Sequence, residues 1–196
     1  MQRVTWIWIR HLRAIEAEGI VCGRLDLSAD LRDEARIAAL ARELPKDAAL
    51  LSSPLARCRE TLSAVRAAGG CGSEPEIEPD FVEQSFGDWE GRRYADLDEL
   101  STWTIHEYAD RSPPGGESFA AMSQRVAAAI DRRNSTATNG TFVVCAHAGV
   151  IRAALAHALK LPPSTALAFA IDCASRTQLV FIPPREWRID YVNDRS

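Results

Sequence analysis

With 196 residues, 46% of them hydrophobic, the chain can bury one substantial core, and a single domain spanning 1–196 is expected. A net charge of −4 and a pI near 5.6 argue against a nucleic-acid or anionic-membrane surface, because backbone phosphates repel an acidic protein. No run is long or apolar enough to span a bilayer, and the N-terminus opens directly on a strand pattern, so a cytoplasmic location is expected. The five cysteines, Cys22, Cys58, Cys71, Cys145 and Cys173, are widely spaced, without a C-x-x-C pair, and indicate neither a zinc site nor a disulfide framework.

In chain order, Val4 to Ile9 reads as a strand buried on both faces, and it ends in Arg10-His11. The exit of such a strand is where open α/β sheets place their ligands; a histidine there can act as a nucleophile, and the arginine can hold the oxyanion it attacks. After a loop from His11 to Ser28, a helix is expected from near Asp30, with Leu31, Ala35, Ala38 and Leu40 at helical spacing and Pro45 as its stop. Ala48–Leu51 gives a short strand. Ser53 reads as an N-cap with Pro54 at the first helical position, and that helix runs to the Gly69-Gly70 stop. Cys71–Asp80 is a connection with β tendency around Ile77.

The stretch 81–117 loosens into an irregular insertion with short helices around Leu97–Ala109, and in an α/β protein such an excursion commonly builds the substrate side of a site. Ser118–Arg133 is helical, with Glu117-Ser118 marking its start. Thr141 to Ala146 repeats the opening theme: a buried strand ending in a histidine, His147, followed by Ala148-Gly149 and a helix from Val150. Pro162-Pro163 closes that helix, and Ala166–Ile171 and Thr177–Ile182 read as strands with antiparallel pairing at one edge. Alternating strand and helix signals favour a mostly parallel sheet covered by helices on both faces. Two histidines leaving two central strands could meet over one substrate.

Four stretches in this order, Arg10-His11, Ser52–Thr61 (SSPLARCRET), Phe81–Gly91 (FVEQSFGDWEG) and His147-Ala148-Gly149, resemble those of the histidine phosphatase superfamily, the group named for phosphoglycerate mutase. Gly19–Asp26 and Pro113–Ser118 make the chain most similar to its α-ribazole phosphatase branch. The resemblance implies a single-domain three-layer α/β sandwich. It also implies a metal-independent, cofactor-free phosphomonoesterase working through a phosphohistidine on His11, with Arg10 and Arg57 binding phosphate, His147 binding a phosphate oxygen and Glu83 as general acid. A backbone contact from Gly23 would add to the phosphate site.

Elementary chemistry accounts for these residue types. A phosphate dianion repels nucleophiles until fixed cations offset its charge, and planar guanidiniums match its oxygens better than an ammonium does. An unprotonated imidazole can attack phosphorus, a histidine at a helix start shares its anion with free backbone donors, and a carboxyl group can protonate the leaving alkoxide and later deprotonate water. Asp80, Asp88 and Glu90 compete with Glu83 as the acid. Arg59 is left out as a helix-face charge, His157 reads as structural, His106 as exposed or substrate-facing, Trp6 and Trp8 as core, and Trp89 as loop packing.

The chain departs from the family pattern at Leu12, where the family has glycine, and at Cys22, whose thiol is a poor phosphate donor. Arg13 either adds a third phosphate cation or faces solvent. The resemblance implies α-ribazole 5′-phosphate as the favoured substrate. The alternatives are a broad small-molecule phosphatase, a phosphoglycerate mutase, and a phosphoester-binding module that lost turnover through the Leu12 change.

Overall fold

The computed structural model describes residues 3–70, 72, 74–137 and 140–196; Cys71 lies outside them. The chain runs β1 (Val4–Arg10), α1 (Glu34–Glu43), β2 (Ala49–Ser52), α2 (Ala56–Ala67), β3 (Glu76–Ile77), α3 (Asp98–Thr102), α4 (Ile105–Asp110), α5 (Phe119–Thr136), β4 (Gly140–Ala146), α6 (Ala148–Leu159), α7 (Pro163–Ala166), β5 (Arg176–Ile182) and β6 (Glu186–Asp194). Short 3-10 turns at Pro79–Phe81, Gly87–Trp89 and Tyr94–Asp96 punctuate the stretch between β3 and α3.

The strands pair in the order β3-β2-β4-β1-β5-β6, parallel from β3 to β1 and antiparallel from β1 to β6. This is the mostly parallel α/β architecture that the alternation of strand and helix signals predicts.

The pleat explains why β1 reads as continuously apolar: its alternate side chains serve two different cores. Val4, Trp6 and Trp8 join Leu51, Val144 and Ala146 under Met122, Val126 and Ile130 of α5 and Val150, Ile151 and Ala154 of α6. Ile7 and Ile9 join Leu50 and Val143 under Ile37 and Leu40 of α1 and Val65 of α2. Trp6 and Trp8 stack with ring centroids 5.6 Å apart, and Phe81 meets both edge-on, so the tryptophans are core residues. Val21, Phe86, Trp89 and Leu97, with Leu100, Trp103 and Tyr108 against them, form a separate cluster under the insertion, where Trp89 packs the loop as expected.

Three expectations about elements are corrected, and one strand is added. α1 begins at Glu34, not near Asp30, because the Asp33 carboxylate caps it by accepting from the Arg36 amide, while Asp30 is engaged by Arg32; Leu31 is exposed. Ser53 is not an N-cap: α2 starts at Ala56 with Leu55 in the cap position, and the Ser53 hydroxyl is turned to His147. Ala166–Ile171 is not a strand, since Pro163 opens the short α7 and turns follow. A short apolar run fits a buried loop as well as a strand, and here Leu167 and Phe169 pack against the α5–α6 core. β6 was not anticipated; it follows Pro183-Pro184 as an edge strand on β5.

Among the described residues no helix is long and apolar enough to cross a membrane.

Candidate active site

Register places the two histidines. β1 and β4 run parallel with Arg10 opposite Ala146, so His11 and His147 leave neighbouring strands at the same level, and the His11 amide donates to Ala146 O at 3.0 Å. Their rings meet edge to face with centroids 5.1 Å apart. β2, next to β4, ends at the same level, and the turn after it carries α2, whose first turn holds Arg57. Three carboxyl-terminal strand ends thus supply Arg10-His11, Ser53 with Arg57, and His147, as expected for an open parallel sheet.

The hydrogen bonds fix the tautomer of His11. Arg57 Nε donates to His11 Nε2 at 3.2 Å, and a guanidinium cannot accept. Nε2 therefore carries a lone pair, and Nδ1–H donates to Leu12 O at 2.5 Å. Burial, then the Arg57 charge, lowers the His11 pKa to about 3, with Arg10 adding to the effect against the opposing Leu12 carbonyl. The ring is a neutral nucleophile at ordinary pH.

Arg57 is 2% exposed and also donates from Nη1 to Leu25 O at 2.7 Å and from Nη2 to Gly23 O at 2.8 Å. Gly23 thus contributes a carbonyl that holds Arg57. Arg10 donates from Nη1 to Ile171 O at 2.5 Å, and its buried Nε has no hydrogen-bond partner among the described residues. That orphaned donor beside the nucleophile suits an incoming oxyanion.

His147 is fully buried, the N-cap of α6, with Nε2 2.7 Å from Ser53 Oγ and 3.5 Å from Cys58 Sγ. Burial foremost, then His11, Arg57 and Arg10, holds its pKa well below the ordinary histidine value. In the free protein His147 is thus neutral.

Glu83 approaches from the insertion. Its carboxylate accepts from the Gly149 amide at 3.3 Å and from the Gln84 amide at 3.0 Å. A Cβ on Gly149 would come within 2.4 Å of Glu83 Oε1, so glycine at the start of α6 is what admits the carboxylate. Two of the three competing acids are used elsewhere: Asp80 pairs with Arg132 at 2.6 Å, and Glu90 accepts from the Arg24 and Phe86 amides at 3.0 and 2.9 Å. The loop carrying Glu83 is seated on Pro113–Gly116. Gly87, at φ +53°, lies so close that a Cβ would sit 2.1 Å from Pro114 O.

A cavity of about 780 Å³ is lined by Arg10, His11, Arg57, Glu83, Gly149 and Arg152, with Phe86, Tyr94, Tyr108 and Phe119 as aromatic walls, while His147 lies buried behind the His11 ring and does not line it. Of the four acids weighed, Glu83 alone lines it. Arg13 is exposed and lines the outer part, and Cys22 lines it with a thiol pKa pushed up by burial. Leu12 neither narrows the cavity nor adopts a positive φ: its side chain lies in the α1–α2 core and its amide donates to Thr61 Oγ1 at 3.0 Å. Among the described residues no group of three or more His, Cys, Asp or Glu could hold a metal. His157 is structural, bonded to Asp131 at 2.9 Å and edge-on to Trp187, and His106 is exposed.

Ser53, Thr61 and Arg152 were missed as site residues. Thr61 is the final residue of the SSPLARCRET stretch and both accepts from Leu12 N and donates to Arg57 O at 2.6 Å. Ser53 was read for its helix-capping chemistry. Arg152, one turn into α6, bonds Phe169 O at 2.9 Å, and burial lowers its pKa. A single helical arginine carries no local signal of a site.

The family model of the histidine phosphatase superfamily (branch 1) matches residues 7–195. A bifunctional protein of Mycobacterium tuberculosis is 33% identical over 131 residues, covering 65% of this chain and 35% of that protein. The adenosylcobalamin/alpha-ribazole phosphatase of Salmonella typhimurium is 29% identical over 138 residues, 68% of this chain and 66% of the relative. The chain thus spans about a third of the length of the mycobacterial relative. Among solved structures, a mycobacterial glucosyl-3-phosphoglycerate phosphatase in complex with VO3 superposes with a TM-score of 0.82 at 25% identity, covering 98% of this chain and 99% of the other. The alpha-ribazole phosphatase from Shigella flexneri shares the fold, with a TM-score of 0.84 at 24% identity over 98% and 97% of the two chains.

Proposed function

Because the chain belongs to branch 1 of the histidine phosphatase superfamily, we propose that it hydrolyses small-molecule phosphomonoesters through a phosphohistidine on His11. The observation that carries this reading is the lone pair of His11 Nε2, fixed by the Leu12 carbonyl on the far side of the ring and held against Arg57 within the cavity. An incoming phosphate takes over the Arg57 Nε–H now spent on that lone pair and meets the orphaned Arg10 Nε, which frees the nucleophile as its charge is neutralised.

Nε2 then attacks phosphorus, the bond from phosphorus to the ester oxygen breaks, and Glu83 delivers a proton to the departing oxygen. Water next attacks the phosphohistidine and gives its proton to the Glu83 carboxylate, releasing phosphate and restoring His11. Arg10 and Arg57 supply the charge stabilisation, so the sequence of steps calls for no metal.

The favoured substrate is α-ribazole 5′-phosphate. Supporting it are the Salmonella relative and aromatic walls at Phe86, Tyr94, Tyr108 and Phe119 able to receive a fused ring. A screen with a chelator present, covering α-ribazole 5′-phosphate, 3-phosphoglycerate and p-nitrophenyl phosphate, tests the proposal. It expects hydrolysis in chelator with α-ribazole 5′-phosphate preferred. Absence of hydrolysis throughout would overturn the phosphatase reading, and preference for 3-phosphoglycerate the substrate assignment.

A further inference from the structure

Glu83 sits on a loop without helix or strand, between the 3-10 turns at Pro79–Phe81 and Gly87–Trp89, so something other than a backbone ladder must set its position. Its carbonyl oxygen accepts from two guanidiniums, Arg24 Nε and Arg125 Nη2, each at 3.1 Å. Two cations converging on one carbonyl repel each other unless an anion joins them. Glu117 is that anion. Its Oε1 accepts from Arg24 Nη2 at 2.8 Å, Arg125 Nη2 at 2.7 Å and the Ser85 amide at 3.0 Å, and its Oε2 accepts from Arg125 Nε at 3.2 Å. Gln84 Nε2 donates to Glu117 O at 2.9 Å, and Arg125 Nη1 holds Asp80 O at 2.6 Å at the start of the same loop. Burial works to raise the Glu117 pKa, but Arg125, the Ser85 amide and Arg24 outweigh it and keep the carboxyl below its ordinary value, hence ionised.

We infer that Glu117, acting with Arg24 and Arg125, is a positioning device that sets where the Glu83 carboxyl stands over the phosphate pocket; this rests on the assignment of Glu83 as general acid. None of the three lines the cavity, so they act indirectly, and the contact that Arg24 and Arg125 share with the site is the Glu83 carbonyl. Arg24 directly follows Gly23, whose carbonyl holds Arg57, so the clamp joins the acid loop to the segment that seats the phosphate-binding arginine. The acid and the phosphate site are thereby held in one frame across 93 residues of sequence.

The test is Glu117→Gln, which keeps size and removes charge, with Arg24→Gln at a partly exposed position as the second variant should the first not fold. In single-turnover assays Glu117→Gln should slow an alkyl phosphate about 10- to 100-fold and p-nitrophenyl phosphate far less, because only the alkoxide needs the acid. In a Glu83→Gln background it should add almost nothing, as befits a residue acting through Glu83. The Gly149 amide, which donates to the Glu83 carboxylate, gives a readout that needs no turnover: its NMR resonance should move in Glu117→Gln as it does in Glu83→Gln. Equal losses on both substrates, a full additional loss in the Glu83→Gln background, or an unmoved Gly149 resonance would each overturn the inference. A wild-type protein hydrolysing no phosphomonoester would defeat the phosphatase reading instead, and the Gly149 resonance would then decide the clamp alone.

Discussion

Arg57 donates its Nε–H to Nε2 of His11 across 3.2 Å, a cation pressed against the lone pair of a buried imidazole. In solution the imidazole would surrender that lone pair to a proton as the pH falls through 6.5. Here burial and the adjacent arginines hold the protonation step at about pH 3. The Arg57 contact thus reinforces burial in keeping the nucleophile unprotonated and places the phosphate-binding cation beside it.

The first prediction is covalent. His11→Ala should abolish both turnover and an acid-labile, base-stable phosphoenzyme trapped from a radiolabelled substrate. Near-normal hydrolysis by the variant would remove His11 from the mechanism.

A second prediction concerns pH and stability. The folded-state pKa of His11 lies below the unfolded value, so between pH 6.5 and about 3 the unfolded chain binds more protons at this position than the folded one. Stability must therefore fall as the pH is lowered through that window, and His147 acts in the same direction. Melting temperatures of wild type and His11→Gln across the window should show a shallower decline in the variant. Parallel curves would count against a depressed His11 pKa.

The neutral state of His147 leads to a third. A phosphate dianion arriving beside it reverses the local charge and favours imidazolium, so phosphate or vanadate binding should take up a proton. Calorimetry in buffers of different ionisation enthalpy measures the uptake directly, and His147→Gln should remove it. Binding without proton exchange near neutral pH would show that His147 stays neutral throughout.

Thr61 supplies a fourth. Its hydroxyl joins the Leu12 amide to the Arg57 carbonyl, tying the loop after the nucleophile to the helix that carries the arginine. Thr61→Val keeps the shape but leaves a buried N–H without a partner, which should cost about 1–3 kcal/mol in denaturant titration. A loss in kcat should accompany it. A variant as stable and active as wild type would show the loop is held by its backbone alone.

Much of this site was legible because its parts end elements with strong periodic signals. The runs Val4–Ile9 and Thr141–Ala146 are apolar on both faces, so the two histidines closing them stand out, and the parallel register brings them together. Glu83 was one of several acids in its stretch; what separates it is the close approach permitted by Gly149, a relation between positions 66 residues apart. The Glu117 clamp and Arg152 have no local signature at all, since their partners lie on other elements. Ser53 was misread for a physical reason: serine before proline suits a helix cap, and a histidine from a different strand claimed the hydroxyl instead. The run Ala166–Ile171 fell into the usual ambiguity of short apolar segments, and its carbonyls now serve arginines: Phe169 O accepts from Arg152 and Ile171 O from Arg10.

The ladder between β1 and β4 has one more consequence. A strand moves past its neighbour in whole residues of roughly 3.3 Å, and each single step turns its side chains to the opposite face. With Arg10 opposite Ala146, any slip would send one histidine into a core or carry it a full residue pair away from the other. The spacing of the two rings is therefore quantised by the backbone, and a lineage needing a different phosphate geometry would have to reshape loops and side chains around a pair that cannot drift.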